Sequence, residues 1–350
     1  GGIFVWEVLV VKHENGLGEL ILNRPKALNS LNTDMLLIIQ KALEEWKTDD
    51  SVQAVLLRSD LERALCAGGD IKMLHAAQES EENRQAAMNF FDIEYDVDLT
   101  IAEYDKPIIA YLNGIVMGGG VGLTQGASHR IVTETTRWAM PEMNIGFCPD
   151  VGGSYFLNQA PGQVGRYLAL SASTIGAQDA IYAKVADEYV LSENLSALTE
   201  DLKRADFSNG SAKEVVEQAI AKVRATFDGE GKLEQQRAAI DEHFAKETVE
   251  DIIASLESAD DEFSQKTASI VKGKSPVSLK VTLEQLKRGE GKSLKDCLAM
   301  ELNIGSNFLK HKDFYEGIRS VVIDKDQNPQ YEYKNLEDVS EAFVDSFFTA

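Results

Sequence analysis

Apolar positions along the first half of the chain alternate between two rhythms. Val8–Val11 and Gly18–Asn23 are short apolar-rich runs flanking the turn-prone pair Asn15-Gly16, and they predict a β-hairpin. Leu36, Ile39, Leu43 and Trp46 then recur at helical spacing behind Asn32, whose short polar side chain suits the cap of a helix. Gln53–Ser59 and Pro107–Leu112 read as strands, His129–Thr133 and Arg137–Met140 as shorter ones, and the polar stretch Glu79–Asp98 as a helix between them. Strand and helix signals taking turns predict an α/β fold.

After about residue 190 the rhythm changes. From Leu191 to Lys312 strand signals nearly vanish, and Ala, Glu, Lys, Gln and Leu dominate. Val215, Ile220, Val223 and Phe227 are spaced for one helix, and Leu279, Leu283 and Leu286, just after Pro276, for another. Ser208-Asn209-Gly210 and Asp228-Gly229-Glu230-Gly231 mark loops between helices. The expected division is an α/β core over 1–190 and a mainly helical region over 191–350. No long Gly/Ser/Pro linker separates them, so the helices are expected to pack on the core.

Charge removes whole classes of function. The 350 residues carry 57 Asp+Glu against 35 Lys+Arg, a net charge of −22, with no basic cluster. That argues against a nucleic-acid partner, whose affinity rests on neutralising phosphates, and against an anionic membrane surface. No apolar run reaches the length of a transmembrane helix. Three scattered cysteines make neither a disulfide framework nor a zinc site and fit a reducing compartment. The opening Gly1-Gly2-Ile3-Phe4 shows no signal-peptide features, and its missing Met predicts a processed or engineered start. A soluble intracellular protein is expected.

Motif searches exclude more. Gly273-Lys274-Ser275 and Gly291-Lys292-Ser293 have Ala268 and Leu286 where a phosphate-binding loop needs glycine. In the glycine cluster at 118–122, Gln125 occupies the place of the third glycine of a dinucleotide fingerprint. There is no Gly-x-Ser-x-Gly elbow and no His or Cys pair at metal-binding spacing, so neither a serine hydrolase nor a metal site has support.

Three local patterns remain. In Ala64-Leu65-Cys66-Ala67-Gly68-Gly69-Asp70 an apolar strand end runs into two glycines, an arrangement expected to leave the N–H of Ala67 free to donate. Asn113 to Gly122 is a strand leading through glycines into a helix start, where unpaired N–H groups suit an oxyanion. The stretch from Met140 to Gly153 sets two carboxylates, Glu142 and Asp150, in a loop punctuated by Pro and Gly.

The order and spacing of these patterns resemble the enoyl-CoA hydratase/isomerase (crotonase) superfamily, with Leu22-Asn23-Arg24-Pro25 to Leu31 similar to its N-terminal signature. The resemblance implies a spiral of β-β-α turns followed by C-terminal helices. It also implies an oxyanion hole for a CoA thioester carbonyl, made by the backbone amides of Ala67 and Gly119. Hydratases of the superfamily use two glutamates; the position of the first is Gly122 here, whereas the second matches Glu142. Pro141-Glu142, seven residues, then Asp150-Val151-Gly152-Gly153 resembles the 3-hydroxyisobutyryl-CoA hydrolase branch. So do Lys312 to Arg319 and Ile323 to Pro329, which extends the match over nearly the whole chain. Glu94 falls where those hydrolases place a substrate-contacting glutamate.

The resemblance therefore implies an acyl-CoA thioester hydrolase that produces 3-hydroxyisobutyrate and CoA in valine degradation, with Glu142 and Asp150 catalytic. Glu94, Gly119, Glu142 and Asp150 would bind the substrate. Glu142 would serve as nucleophile or as general base; Asp150 would hold the 3-hydroxyl or help to position and protonate the reacting groups. No metal and no cofactor are implied, CoA being part of the substrate. Lys26 and Lys72 lie beside the motifs and suit CoA phosphates no better than they suit solvent. A homo-oligomer, trimer or hexamer, is expected, in the cytoplasm or alternatively the mitochondrial matrix. A hydratase or isomerase of the same fold and a non-catalytic partner-binding member are the rival readings.

Overall fold

The computed structural model describes residues 6–350, so the reading of Gly1 to Phe4 lies outside the described residues. These residues divide into two compact units, each assembled from three stretches of chain. Among the described residues the first unit takes in the chain up to Gly69, 96–138 and 175–229; the second takes in 70–95, 139–174 and 230–350. The boundary expected at residue 190 falls inside the last stretch of the first unit.

The first unit is built on strands. Strands β1 (Val8–Lys12) and β2 (Leu17–Leu22) form the expected antiparallel hairpin, with Val10 opposite Leu20. Seven more strands follow: β3 (Ala54–Ser59), β4 (Ala64–Cys66), β5 (Ile108–Leu112), β6 (Ile115–Met117), β7 (His129–Val132), β8 (Arg137–Ala139) and β9 (Glu188–Tyr189). They sort into a six-stranded sheet of order β1-β2-β3-β5-β7-β9 and a three-stranded sheet of order β4-β6-β8. Each successive pair, β3/β4, β5/β6 and β7/β8, sends its first strand to the large sheet and its second to the small one. That repeated split is the spiral of β-β-α turns. From β2 onward the pairs in the large sheet are parallel.

Helix Thr33–Lys47 starts where expected, since Asn32 accepts a hydrogen bond from the N–H of Met35 at 2.9 Å. Leu36, Ile39, Leu43 and Trp46 are buried on one face. Two further helices, Leu195–Arg204 and Ala212–Ala221, bury Leu198, Leu202, Val216 and Ile220 in the same core as Leu56 and Ile109 of the large sheet. Burial of a side chain of this kind contributes roughly 1.5–3 kcal/mol. The helix read through Val223 and Phe227 stops at Ala221. Beyond it the chain extends along β9: the N–H of Ala225 donates to the carbonyl of Tyr189 at 2.8 Å, and the ring of Phe227 stacks on Tyr189. Apolar spacing of this length fits either conformation, and pairing with β9 decides.

The second unit is mainly helical. Its long elements include Lys232–Phe244, Val249–Ser258, Glu262–Lys272, Pro276–Gly289 and Leu294–Phe308. Pro276 opens its helix behind the capping Ser275, as expected of a residue that lacks an N–H. The centre of the unit is aromatic. Phe147 lies 5.9 Å from Phe91, 5.2 Å from Phe308 and 5.3 Å from Phe314, ring centre to ring centre, and all four are buried. Among the described residues no helix is long and apolar enough to cross a membrane.

Candidate active site

Two groups of site residues can be built from the sequence upward, one in each unit. In the first unit the parallel strands β4 and β6 end side by side, and helix Gly119–Gln125 begins directly after β6. This close packing requires glycine at 120, because a Cβ there would lie 2.4 Å from the carbonyl oxygen of Cys66. Gly119 is the first residue of the helix, so its N–H has no intrahelical acceptor, as the oxyanion reading of Gly119 requires.

Ala67 does not behave as expected. Its N–H donates to the carbonyl of Leu28 at 3.0 Å and is not free. The carbonyl of Gly68 accepts from the N–H of Leu31 at 2.8 Å. The peptide bond that follows Gly68 is trans, so the N–H of Gly69 points the opposite way, and among the described residues it meets no acceptor. The open donor at the end of β4 is thus Gly69, two residues beyond the expected position. Sequence could not show this, because the bond that occupies Ala67 comes from a segment nearly forty residues upstream.

The second unit holds the carboxylates. Glu142 opens a tight turn, Glu142–Ile145, and Asp150 precedes the short helix Gly153–Phe156. Phe147, the aromatic hub, lies between them in sequence and ties this loop into the core. Gly317 supports it from helix Lys312–Ile318: a Cβ at 317 would lie 2.2 Å from the carbonyl oxygen of Ile145. That contact gives the C-terminal motif a physical role next to Glu142.

Glu94, Glu142 and Asp150 are all buried, with exposures of 3%, 6% and 5%. Tyr95 donates its hydroxyl to Asp150 Oδ2 at 2.6 Å. Burial pushes Asp150 up to about 7, against the Tyr95 hydrogen bond, which favours the charged form. Burial also raises Glu142 well above the ordinary carboxylate range, and the charge of Asp150 adds to the shift. Glu94 is raised by the same two causes in the same order. One oxygen of Glu142, Oε1, is buried and among the described residues has no hydrogen-bond partner. A buried carboxylate oxygen left unpaired is costly, and such atoms mark places where a ligand or reacting group completes the bonding. A carboxylate short of partners and high in proton affinity can act as nucleophile or base, beside a second carboxyl held by a phenol.

Two residues around this group carried no sequence signal of their own: Tyr95 and Glu301. Glu301 is wholly buried in helix Leu294–Phe308, and burial raises it to about 8.

Comparison with known proteins places the chain in one family. The model of the family described as enoyl-CoA hydratase/isomerase matches residues 17–348. The chain is 38% identical to the mitochondrial 3-hydroxyisobutyryl-CoA hydrolase of Danio rerio over 336 residues, covering 95% of this chain and 87% of that protein. It is 35% identical to the Homo sapiens protein of the same name, over 98% of this chain and 88% of that one. Among solved structures, a carnitinyl-CoA dehydratase from Mycobacterium thermoresistibile superposes with a TM-score of 0.91 at 37% identity, over 98% of this chain and 96% of the other. An enoyl-CoA hydratase from Rhodobacter sphaeroides 2.4.1 gives 0.88 at 34%, over 98% and 97%.

Proposed function

The chain belongs to the enoyl-CoA hydratase/isomerase family, and from that premise we propose that it is an acyl-CoA thioester hydrolase acting on 3-hydroxyisobutyryl-CoA. The observation that carries this reading is the buried pair Glu142 and Asp150 in a chain whose helix Gly119–Gln125 has a buried glycine, Gly122, at the place of the other hydratase carboxylate. Water addition across a double bond needs acid and base chemistry on its two sides, and Gly122 supplies neither. Thioester hydrolysis needs one nucleophile or base and a stabilised oxyanion.

The steps follow from the chemistry of the groups. Attack at the thioester carbon puts negative charge on the carbonyl oxygen, for which the N–H groups of Gly69 and Gly119 are the donors. Losing one such donor typically costs roughly 100- to 1000-fold in rate. In one route Glu142 attacks directly: its oxygen bonds to the acyl carbon, the C–S bond breaks, and the CoA thiolate leaves and takes a proton. Water then attacks the Glu142 carbonyl carbon of the mixed anhydride, the bond from that carbon to the bridging oxygen breaks, and the hydroxy acid leaves as the carboxylate is restored with an oxygen from water. In the other, Glu142 takes a proton from water, whose oxygen bonds to the acyl carbon in its place; the C–S bond breaks, and the CoA thiolate leaves and takes the proton held by Glu142. Asp150 holds the 3-hydroxyl of the substrate. No cofactor enters either route.

The names of the two solved structures favour a second reading, hydration. Against it stand Gly122 and the 3-hydroxyisobutyryl-CoA hydrolase names of the curated relatives. Three buried cysteines that form no disulfide among the described residues fit a reducing compartment, for which the names of those relatives suggest the mitochondrion.

A single turnover in ¹⁸O water, followed by analysis of the protein, tests the role of Glu142. Label in the Glu142 carboxylate supports the anhydride. Label confined to the product acid leaves the general-base route. Thiol release that survives intact in Glu142→Gln overturns both.

A further inference from the structure

Asp150 is followed by two residues in the left-handed region, Val151 at φ +50° and Gly152 at φ +92°. A β-branched residue adopts that conformation only when its surroundings impose it, and such strain gathers at functional sites. The restraint here is specific. Glu301, some 150 residues away in sequence, spreads its carboxylate over the loop: Oε1 accepts from the N–H of Gly152 at 2.7 Å and Oε2 from the N–H of Ser154 at 2.9 Å. From helix Pro276–Gly289, Gln285 donates Nε2 to the carbonyl of Pro149 and to Ser154 Oγ, each at 2.7 Å. Two helices therefore hold the ends of the strained turn that carries Asp150.

Glu301 is an unusual choice for a purely structural brace. It is fully buried, and among the described residues no lysine or arginine pairs with it. Capping two N–H groups calls for acceptors, and a neutral amide supplies only one. A carboxyl group is the side chain that serves both, at the cost of placing a fourth acid among Glu94, Glu142 and Asp150.

We propose that Glu301 is a positioning residue, whose two hydrogen bonds to Gly152 and Ser154 fix the turn that aims Asp150 at the 3-hydroxyl of the substrate. This rests on the hydrolase reading above, with Asp150 as the hydroxyl-binding group. Glu301 itself touches no substrate; it sets specificity through the loop.

The test is discrimination. Rates of thiol release are measured for 3-hydroxyisobutyryl-CoA and for isobutyryl-CoA, which lacks the hydroxyl, in wild type, Glu301→Gln, Asp150→Asn and the double variant. A glutamine turns one of its N–H groups toward a backbone N–H, so one bond is lost and the turn loosens. The ratio of kcat/KM values is expected to fall about tenfold or more in Glu301→Gln, because a site built around a hydroxyl discriminates through correct placement of its polar partner. In the Asp150→Asn background the same substitution is expected to change the ratio no further, since the group it positions is already impaired. A merely structural role would lower both substrates together and leave the ratio unchanged, and that result overturns the inference. Should Glu301→Gln fail to fold, Glu301→Asp, which keeps the carboxyl group and shortens the reach, carries the same expectation. A wild type that releases thiol from neither substrate overturns the hydrolase reading and this inference with it. Discrimination in wild type that persists in the variants overturns the inference alone.

Discussion

At the scale of single residues, the site is a problem of buried acid. Glu142, Asp150, Glu94 and Glu301 share one interior, and each has its proton affinity raised first by burial. If Glu142 reacts as a carboxylate, activity is lost as pH falls through its raised pKa, so the acid limb of kcat/KM lies above the range near 4 of an ordinary glutamate. The charge of Asp150 raises Glu142, so removing it acts in the opposite direction. In Asp150→Asn the acid limb of the residual activity should move to lower pH, which a pH–rate profile reads directly; a limb that stays in place would show that the two groups are not coupled. Glu142 and Asp150 were legible in sequence because they sit in one loop between prolines and glycines. Glu301 was not: one acid among 57 on an amphipathic helix carries no mark until folding brings it to Gly152. The open N–H at the end of β4 was legible only to within two residues, since the pattern shows where glycines cluster but not which N–H the carbonyl of Leu28 has already taken.

At the scale of elements, the loop 140–154 works because helices hold it. Gly317 allows helix Lys312–Ile318 to touch the turn that begins at Glu142. Gly317→Ala places a methyl group against the carbonyl of Ile145, and overpacking of this sort costs about 1–3 kcal/mol. The expected outcome is a lower melting temperature together with reduced thiol release, from displacement of Glu142; a variant that melts earlier with unchanged activity per folded molecule would separate the brace from the site. Elements with strong local signals were read well from sequence: the hairpin at Asn15-Gly16, the helix capped by Asn32 and the helix opened by Pro276 all have their chemistry within a few residues. The helix expected through Val223 and Phe227 failed because a partner distant in sequence, Tyr189 of β9, competes for the same apolar positions.

At the scale of the whole molecule, buried acids make stability depend on pH. Carboxyl groups whose folded pKa is raised bind more protons folded than unfolded between their unfolded values, near 4, and their folded values, about 7 for Asp150 and about 8 for Glu301. Stability should therefore decline as pH rises through that window, by up to about 1.4 kcal/mol per pH unit for each group. Melting temperatures taken from pH 5 to pH 8 check this, and Asp150→Asn should flatten the decline and melt higher than wild type at pH 8. A wild-type melting temperature that climbs over this range would contradict the account of the cluster. The interleaving of the two units was hidden from sequence, because composition changes near residue 190 while the chain passes between the units at other points. Release of free CoA thiol from 3-hydroxyisobutyryl-CoA, measured beside hydration of crotonyl-CoA on the same preparation, separates hydrolysis from hydration. Thiol release that disappears in Glu142→Gln, with no significant hydration, is the expected result. Hydration of crotonyl-CoA without thiol release would contradict it and make the chain a hydratase in spite of Gly122.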